Sequence, residues 1–376
     1  MEPVKKSYIK AYKFRIYPTK KQQIFLAKQF GCCRFVYNYC LDLHNRVYKE
    51  EHRSLSKKEM NAQLPILKKQ KQTEWLGEVI AQPLQMAVHD LDTAFQRFFK
   101  KKSAYPKFKS RHDRQCFKIP QNAKLEGGLL KIPKLDSLIK VNLSRAVIGK
   151  ILYVHISKTA TGKYYASFTC AGEREVFEKT GKQIGIDLGI KEAATLSDGT
   201  TFDNKKAFRT LEKKLVFTQR QLSKKQKGGK SRQRLRRRVA LIHEKIKNVR
   251  HDHNNKMTTQ VIKSHDLLAV EDLGVTNMLK NHKLAKSIAD VSMGTILKQL
   301  KYKSEWHNRD YIEVDRFFAS SKLCSSCGYK KEDLSLKDRS WTCPSCLTAH
   351  DRDINAAKNI LAEGLRKKSG CGTQSD

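Results

Sequence analysis

Four cysteines near the C-terminal end limit the local fold of this chain more tightly than any other feature: Cys324-x2-Cys327, fifteen residues, then Cys343-x2-Cys346. Two such pairs at that separation form two tight knuckles that present four thiolates to one tetrahedral Zn2+. Four protein ligands leave no open position for water, so the ion is expected to hold structure rather than do chemistry. The other cysteines, Cys32, Cys33, Cys40, Cys116, Cys170 and Cys371, follow no disulfide-framework spacing. Reduced thiols and one zinc site fit a reducing compartment.

Charge narrows the partners. The 376 residues carry 76 Lys and Arg against 37 Asp and Glu, a formal net charge of +39. Such an excess repels itself unless a polyanion is near, which favours nucleic acid. Composition by itself leaves a membrane-surface protein or a ribosomal-type RNA binder open. The length implies two or three units, and a hydrophobic content of 39% is enough for cores. No run of 18 apolar residues occurs, and MEPVKKSYIKAYKFRIYP lacks the apolar centre of a secretory signal. A cytoplasmic protein that does not enter membranes is expected.

Periodicity divides the chain. Residues 11–18, AYKFRIYP, alternate as a strand and stop at Pro18. From Thr19 to about Glu51, and from Leu55 to Lys101, apolar residues recur at helical spacing, with breaks expected at Pro65 and Pro83. Between Tyr105 and Gly172 the runs FKIP, LLKIP, IKVNL, ILYVHIS and YYASFTC predict a small antiparallel sheet or barrel, completed by the N-terminal strand. The polar stretch from Glu173 to Lys182 marks a boundary. Beyond it QIGIDLGIKEAATLSDGTTF reads as strands in hairpin succession and DLLAVE as a buried strand. Residues 290–307 read as a helix, YIEVDRFF as a strand, and the segment from Asp353 as a last helix. Residues 205–256 hold 19 Lys and Arg against 3 Asp and Glu, on a helical hairpin turning near Lys227-Gly228-Gly229. Solvated helices pair opposite charges at i,i+4, so this one-signed excess predicts a wall facing phosphates.

Three acids stand out by position. Asp187 sits in an apolar strand, IGIDLGI; Glu271 ends another, LLAVE; Asp353 opens a helix whose NAA lets it approach a sheet closely. Singly, each has an ordinary reading: a turn at Gly189, a strand-end surface charge, a helix N-cap. Together they suit metal-dependent phosphodiester hydrolysis, in which carboxylates hold two Mg2+ ions about 3.5 to 4 Å apart over one phosphate. The blocks IGIDLGIKEAATLSDG, VEDLGVTNMLKN, DRFFASSKLCSSCG, RSWTCPSC and HDRDINAAKNI follow one another in the second half, with YKFRIYPT, CRFVYNYCL and YPKFKSR upstream. In order and spacing they resemble the TnpB family of bacterial and archaeal transposons, which shares its nuclease with type V CRISPR effectors. The likeness runs over nearly the whole chain.

That resemblance implies an α/β fold with all-β and helical parts. An RNase H-like (RuvC) nuclease domain with an inserted zinc ribbon would follow a small β-barrel, wedge-like domain that carries a helical recognition insertion. The implied bounds are 1–18 with 104–178 for the barrel, 19–103 for the helical recognition domain, 179–318 with 350–367 for the nuclease, 319–349 for the ribbon and 368–376 for a loose tail. The resemblance further implies an RNA-guided endonuclease that hydrolyses double-stranded DNA beside a short flanking motif. Asp187, Glu271 and Asp353 would be the catalytic ligands of two Mg2+ ions, or of another divalent such as Mn2+, with Asp272 and Asp351 in support. The implied partners are a guide RNA from the transposon end and target DNA, with the protein a monomer at nucleoid DNA. Arg15, Arg34, Lys107, Lys109 and Arg236 are candidate phosphate contacts, and Tyr37 and Tyr105 candidate stacking residues. Gln82 and Pro83 lie near Gln85 in a helical segment that departs from the family pattern where members vary and is expected to bear on target choice, and Arg339 is a candidate for meeting the scissile strand. Ordinary surface cations and core aromatics are the alternative reading for each. Two functions without target cutting stay open: a nuclease-inactive RNA-guided DNA-binding regulator and a transposase acting in strand transfer. The chain departs from the family pattern at His253, at Asn255 and at Leu347, where glycine is usual and admits positive φ.

Overall fold

The alternating N-terminal segment forms β1 (Tyr8–Tyr17), with Tyr12, Phe14 and Ile16 turned into the core. The computed structural model describes residues 8–172, 176–335 and 337–370, in two units, 1–173 and 174–376. Cys371 and the rest of the expected tail beyond Gly370 lie outside the described residues. Thr19 starts α1 (Lys20–Glu51): its hydroxyl accepts from the Gln22 backbone N–H, and the Gln22 side chain accepts from the Thr19 N–H. Leu26, Phe30, Cys33, Tyr37, Cys40 and Leu41 recur on the buried face of this 32-residue helix. Ser56 and Glu59 cap α2 (Lys57–Lys69) in the same reciprocal way. After a 3-10 turn (Glu74–Gly77), α3 (Ala81–Phe99) packs Leu84, Val88, Leu91 and Phe95 inward.

Neither expected proline break occurs. Pro83 stands in the first turn of α3, where a backbone N–H has no intrahelical acceptor anyway. Pro65 lies inside α2, held in helix by the burial of Met60, Leu64 and Leu67 on the opposite face. The interruption falls between the two prolines, at 70–80.

Six strands follow: β2 (Gln115–Ile119), β3 (Lys124–Glu126), β4 (Leu129–Lys131), β5 (Ile139–Asn142), β6 (Lys150–Lys158) and β7 (Tyr164–Gly172). They join β1 in a seven-stranded antiparallel sheet of order β2-β6-β7-β1-β5-β4-β3. β1 is the middle strand, paired with β7 over Tyr8–Ile16 and with β5 over Arg15–Tyr17. The expected barrel is thus a sheet with two ends, since β2 and β3 share no ladder among the described residues. The three-residue strands β3 and β4 stop short of closing it.

The second unit opens with the meander β8 (Gln183–Asp187), β9 (Glu192–Leu196) and β10 (Thr201–Asp203), then the basic hairpin of α4 (Ala207–Ser223) and α5 (Lys230–Ser264). β11 (Leu267–Glu271), α6 (Val275–Met278), α7 (Ala285–Val291), α8 (Met293–His307) and β12 (Asp310–Val314) complete a five-stranded sheet of order β10-β9-β8-β11-β12. β8, β11 and β12 run parallel, whereas β9 and β10 run antiparallel to their neighbours. The single helix expected over 290–307 is two, because Ser292 takes a left-handed φ of 64° between α7 and α8. The strand read in YIEVDRFF ends at Val314, and the chain turns away over 315–318. A hairpin of β13 (Ser340–Thr342) and β14 (Ala349–Asp351) leads into α9 (Arg352–Lys368).

Ile184, Ile186, Leu268 and Val270 pack with Met257, Val261, Ile296 and Leu300 of α5 and α8, while Ala269 and Val314 pack with Ile360 of α9. The α9 side is very close. A Cβ at Gly185 would lie 2.0 Å from the Ala357 carbonyl oxygen, and one at Gly364 would lie 2.6 Å from Ala269 Cβ. Two glycines therefore let α9 rest directly on the sheet. Among the described residues no helix is long and apolar enough to cross a membrane.

Candidate active site

β8 and β11 pair in parallel through Ile186 and Val270, so Asp187 and Glu271, the next residue of each, end neighbouring strands together. The carboxyl ends of parallel strands are where crevices open in such sheets. Asp351 caps α9, its Oδ1 accepting the N–H of Asp353 and of Ile354 at 3.0 Å each, and so fixes Asp353 in the first turn. Asp187, Glu271 and Asp353 then line one cavity of about 640 Å³, with Glu192, Lys322, Arg339 and Arg352 on its wall.

Burial, then the charges of Asp353 and Glu271, push Asp187 from the ordinary carboxylate range up to about 7, opposed by Arg352. Glu271 is raised as well, first by burial and then by Asp272. Carboxylates that repel one another in this way are stabilised by a divalent cation, so the donor set fits one. The site is wide: among the described residues only the four cysteines bring their ligand atoms all within 4.8 Å of one another.

The neighbouring acids belong to the framework. Asp272 pairs with Arg316, and its N–H donates to the Val314 carbonyl at 2.8 Å. Arg339, an exposed loop cation, has Nη1 at 3.9 Å from Asp353 Oδ2. Sequence reasoning missed Glu192, Lys322 and Arg352. The hairpin read in IGIDLGIKEAATL was signal enough to return Glu192 toward Asp187, whereas Lys322 stands in a loop with no periodicity to reveal it.

The cysteines form a second site. Cys324 and Cys346 sulfurs lie 3.6 Å apart, as do those of Cys327 and Cys343. Tetrahedral zinc with bonds of about 2.3 Å sets sulfurs about 3.8 Å apart, so these four fit it. The two knuckles are alike: the Gly328 N–H donates to the Cys324 carbonyl and the Leu347 N–H to the Cys343 carbonyl, each at 2.9 Å. Gly328 takes φ 77° and Leu347 φ 60°, so the departure at 347 places a side chain where glycine is favoured.

The remaining candidates separate by burial. Tyr37 is 5% exposed, with the Lys109 ammonium 3.6 Å from its ring centre, so its ring is packed in the core, the alternative the sequence offered. Lys109 is half-buried and its pKa is lowered by that burial. Tyr105 is more open, its hydroxyl donating to Asn45 Oδ1 at 2.6 Å. Arg15 is half-buried over the rings of Tyr17 and Tyr165, and Arg34 donates to Gln115 Oε1 at 3.5 Å. Gln85, Lys107 and Arg236 are exposed. Asn255 donates to the His251 carbonyl at 2.7 Å, and His253 is half-buried with its pKa lowered by burial.

Three family models match in chain order. Residues 8–53 match a "Helix-turn-helix domain", 167–282 a family described as "Probable transposase", and 294–360 a "Cas12f1-like, TNB domain". The first of these names does not describe 8–53 here, which are β1 and the unbroken α1. A protein of Streptomyces pristinaespiralis named "Putative RNA-guided DNA endonuclease" is 38% identical over 367 residues, covering 96% of this chain and 91% of that protein. InsQ of Escherichia coli K12, under the same description, is 32% identical over 95% of this chain and 92% of its own. A TnpB-like protein of Acanthamoeba polyphaga mimivirus is 24% identical over 96% of this chain and 74% of its own. The solved structure of a Cas12f1 complex with sgRNA and target DNA superposes with a TM-score of 0.58 over 94% of this chain and 99% of that chain, at 11% identity, a likeness of fold. With relatives 38% and 32% identical aligned over more than nine-tenths of both chains, and family models matched in chain order, the chain belongs to the TnpB family.

Proposed function

We propose that this protein is an RNA-guided DNA endonuclease of a transposable element, hydrolysing double-stranded DNA beside a short flanking motif at one RuvC-like site. The observation that carries the reading is the cavity where Asp187, Glu271 and Asp353 meet from three sequence-distant elements and where burial, with the charges of the other two acids, raises Asp187 to about 7. An RNase H-like assignment is supported by the sheet, an antiparallel meander extended by two parallel strands with helices on both faces. On this reading the nuclease spans 179–318 and 350–367 around the ribbon at 319–349. The descriptions of the relatives support guide RNA and duplex DNA as partners. Sequence choice is then delegated to base pairing, while the protein reads the flanking motif and the shape of the heteroduplex.

Asp187, Glu271 and Asp353 would hold Mg2+ or Mn2+, whose chemistry is to acidify water and to neutralise charge on the leaving oxygen. The chain keeps a proton on Asp187 near neutrality, to be released when a cation takes its place. Asp351 holds the first turn of α9 so that Asp353 stays on the cavity wall. Lys322, Arg339 and Arg352 on the same wall offset the charge of the incoming phosphates. Zinc on the four cysteines would fasten the loop that carries Arg339.

In the guide-loaded complex, Asp187→Ala is expected to abolish plasmid cleavage and to leave guided binding at wild-type affinity. Persistent cutting overturns the site. A strand-transfer transposase, favoured by the description of the family matched over 167–282, would instead join a labelled donor end to target. A nuclease-inactive regulator would bind without cutting in the native chain, and the presence of all three acids speaks against it.

A further inference from the structure

We infer that Phe317 is a stacking platform for one base of single-stranded DNA at the rim of the acid cavity, an inference that rests on the endonuclease reading and names the form of DNA the site receives. Phe317 is 88% exposed, the most exposed large apolar side chain among the described residues. Exposed apolar residues scattered singly are ordinary. This one differs in how it is held. Asp315 Oδ1 accepts the Phe317 N–H at 2.8 Å, and the Asp315 carbonyl accepts the Phe318 N–H at 3.1 Å, so the turn is closed by two bonds. On one side Arg316 pairs with Asp272, the residue after Glu271. On the other Phe318 packs against the cluster of Ala269, Val314 and Ile360 and lines the acid cavity. Both neighbours are tied to the catalytic end of the sheet, and the ring between them points to solvent.

The surroundings select the occupant. Lys322, Arg339 and Arg352 on the wall of the cavity that Phe318 lines call for a polyanion. An aromatic face among cations calls for a polyanion with flat apolar faces to offer. In duplex DNA those faces are covered by neighbouring bases, so only an unpaired strand presents one. A base set on Phe317 would hold the strand in register, with a phosphate over the three acids.

The test uses guide-loaded complexes and a target whose displaced strand carries a single 2-aminopurine, moved base by base. In an Asp187→Ala background, which spares the DNA, quenching is expected at one or two positions. It should disappear with Phe317→Ala and return with Phe317→Trp. With Asp187 intact, single-turnover cutting should fall about ten-fold or more for Phe317→Ala, the scale of one lost base–aromatic stack, at unchanged guided binding. The tryptophan variant should restore it. Unchanged cutting by Phe317→Ala, or quenching at no position, overturns the inference, while the endonuclease reading stands as long as Asp187→Ala alone abolishes cutting. Should Phe317→Ala instead dissociate a dimer in sedimentation with fluorescence unaltered, the ring is a protein contact and the inference fails.

Discussion

Gly185→Ala tests whether the closeness of α9 to β8 is what assembles the acids. The added Cβ would stand 2.0 Å from the Ala357 carbonyl oxygen, 2.8 Å from the Leu361 nitrogen and 2.9 Å from Leu361 Cβ, where ordinary contact begins at 3.4 Å. Backbone atoms cannot swing aside as the end of a long side chain does, so α9 must retreat by about 1 Å or more. Asp353 lies four residues before Ala357, about one turn away, and moves with it. A displacement of about 1 Å in a catalytic group can cost about 100-fold in rate. Overpacking of this kind costs about 1–3 kcal/mol, a fall of several degrees in Tm for a unit of this size. The assay is single-turnover cleavage across pH with guided binding measured alongside. Cutting should drop about two orders of magnitude at unchanged binding. The acid limb of its pH profile should move to lower pH, because a more distant Asp353 repels the Asp187 charge less. Wild-type cutting with an unmoved profile would refute the packing argument. Gly31→Ala is the control, since its Cβ meets nothing within 4 Å: it should stabilise α1 by about 0.5–1 kcal/mol and leave cutting alone.

Two more expectations concern the metal sites. The folded chain binds the Asp187 proton more tightly than the unfolded chain does, so the stability this group contributes is full at acid pH and is lost as pH rises toward about 7. Asp187→Asn should therefore match wild type in acid, exceed its Tm above neutrality in chelator, and lose that advantage when Mg2+ is added; a gap that stays constant with pH contradicts the linkage. At the second knuckle, Leu347→Gly relieves a left-handed conformation worth about 1 kcal/mol and should slow zinc loss to a chromogenic chelator, a rate that stopped-flow absorbance reads directly.

What the sequence disclosed, and what it hid, follows from the range of the forces involved. The starts of α1 and α2 were legible because Thr19 with Gln22, and Ser56 with Glu59, satisfy their own backbone within four residues. The cysteine pairs were legible for the same reason, since each knuckle is local. Pro65 was misread because burial of Met60, Leu64 and Leu67 outweighs a local preference. Tyr37 stood open between base stacking and the core, although its spacing from Phe30, Cys33 and Leu41 already set it on the buried face of α1. The break at Ser292 had no signal at all, as serine has no particular liking for the left-handed region. The parallel register of β8 with β11, which brings Asp187 to Glu271, joins residues more than eighty positions apart and was not legible; the family resemblance implied only that the three acids share a site.

The treatment of acids elsewhere in this unit shows why those three differ. In a chain with 76 basic residues a carboxylate readily finds a cation, and the neighbours did: Asp290 holds Arg250 at 2.7 Å, Asp272 holds Arg316, and Asp266 holds the fully buried Arg309. Asp187 and Glu271 make no such pair among the described residues, and Asp353 has only a loose one, with Arg339 Nη1 at 3.9 Å from its Oδ2. Burying Asp187 beside two other acids works against folding once it is charged: burial first, then the charges of Asp353 and Glu271, push its pKa up to about 7. Local rules are broken in this way where function requires it. Of the two arginines on the cavity wall, Arg339 reaches only Asp353, and Arg352 opposes the Asp187 shift without pairing with it among the described residues. On the proposed reading the carboxylates are ligands for a cation and the guanidinium groups ligands for phosphate, the division of charge that phosphodiester hydrolysis needs.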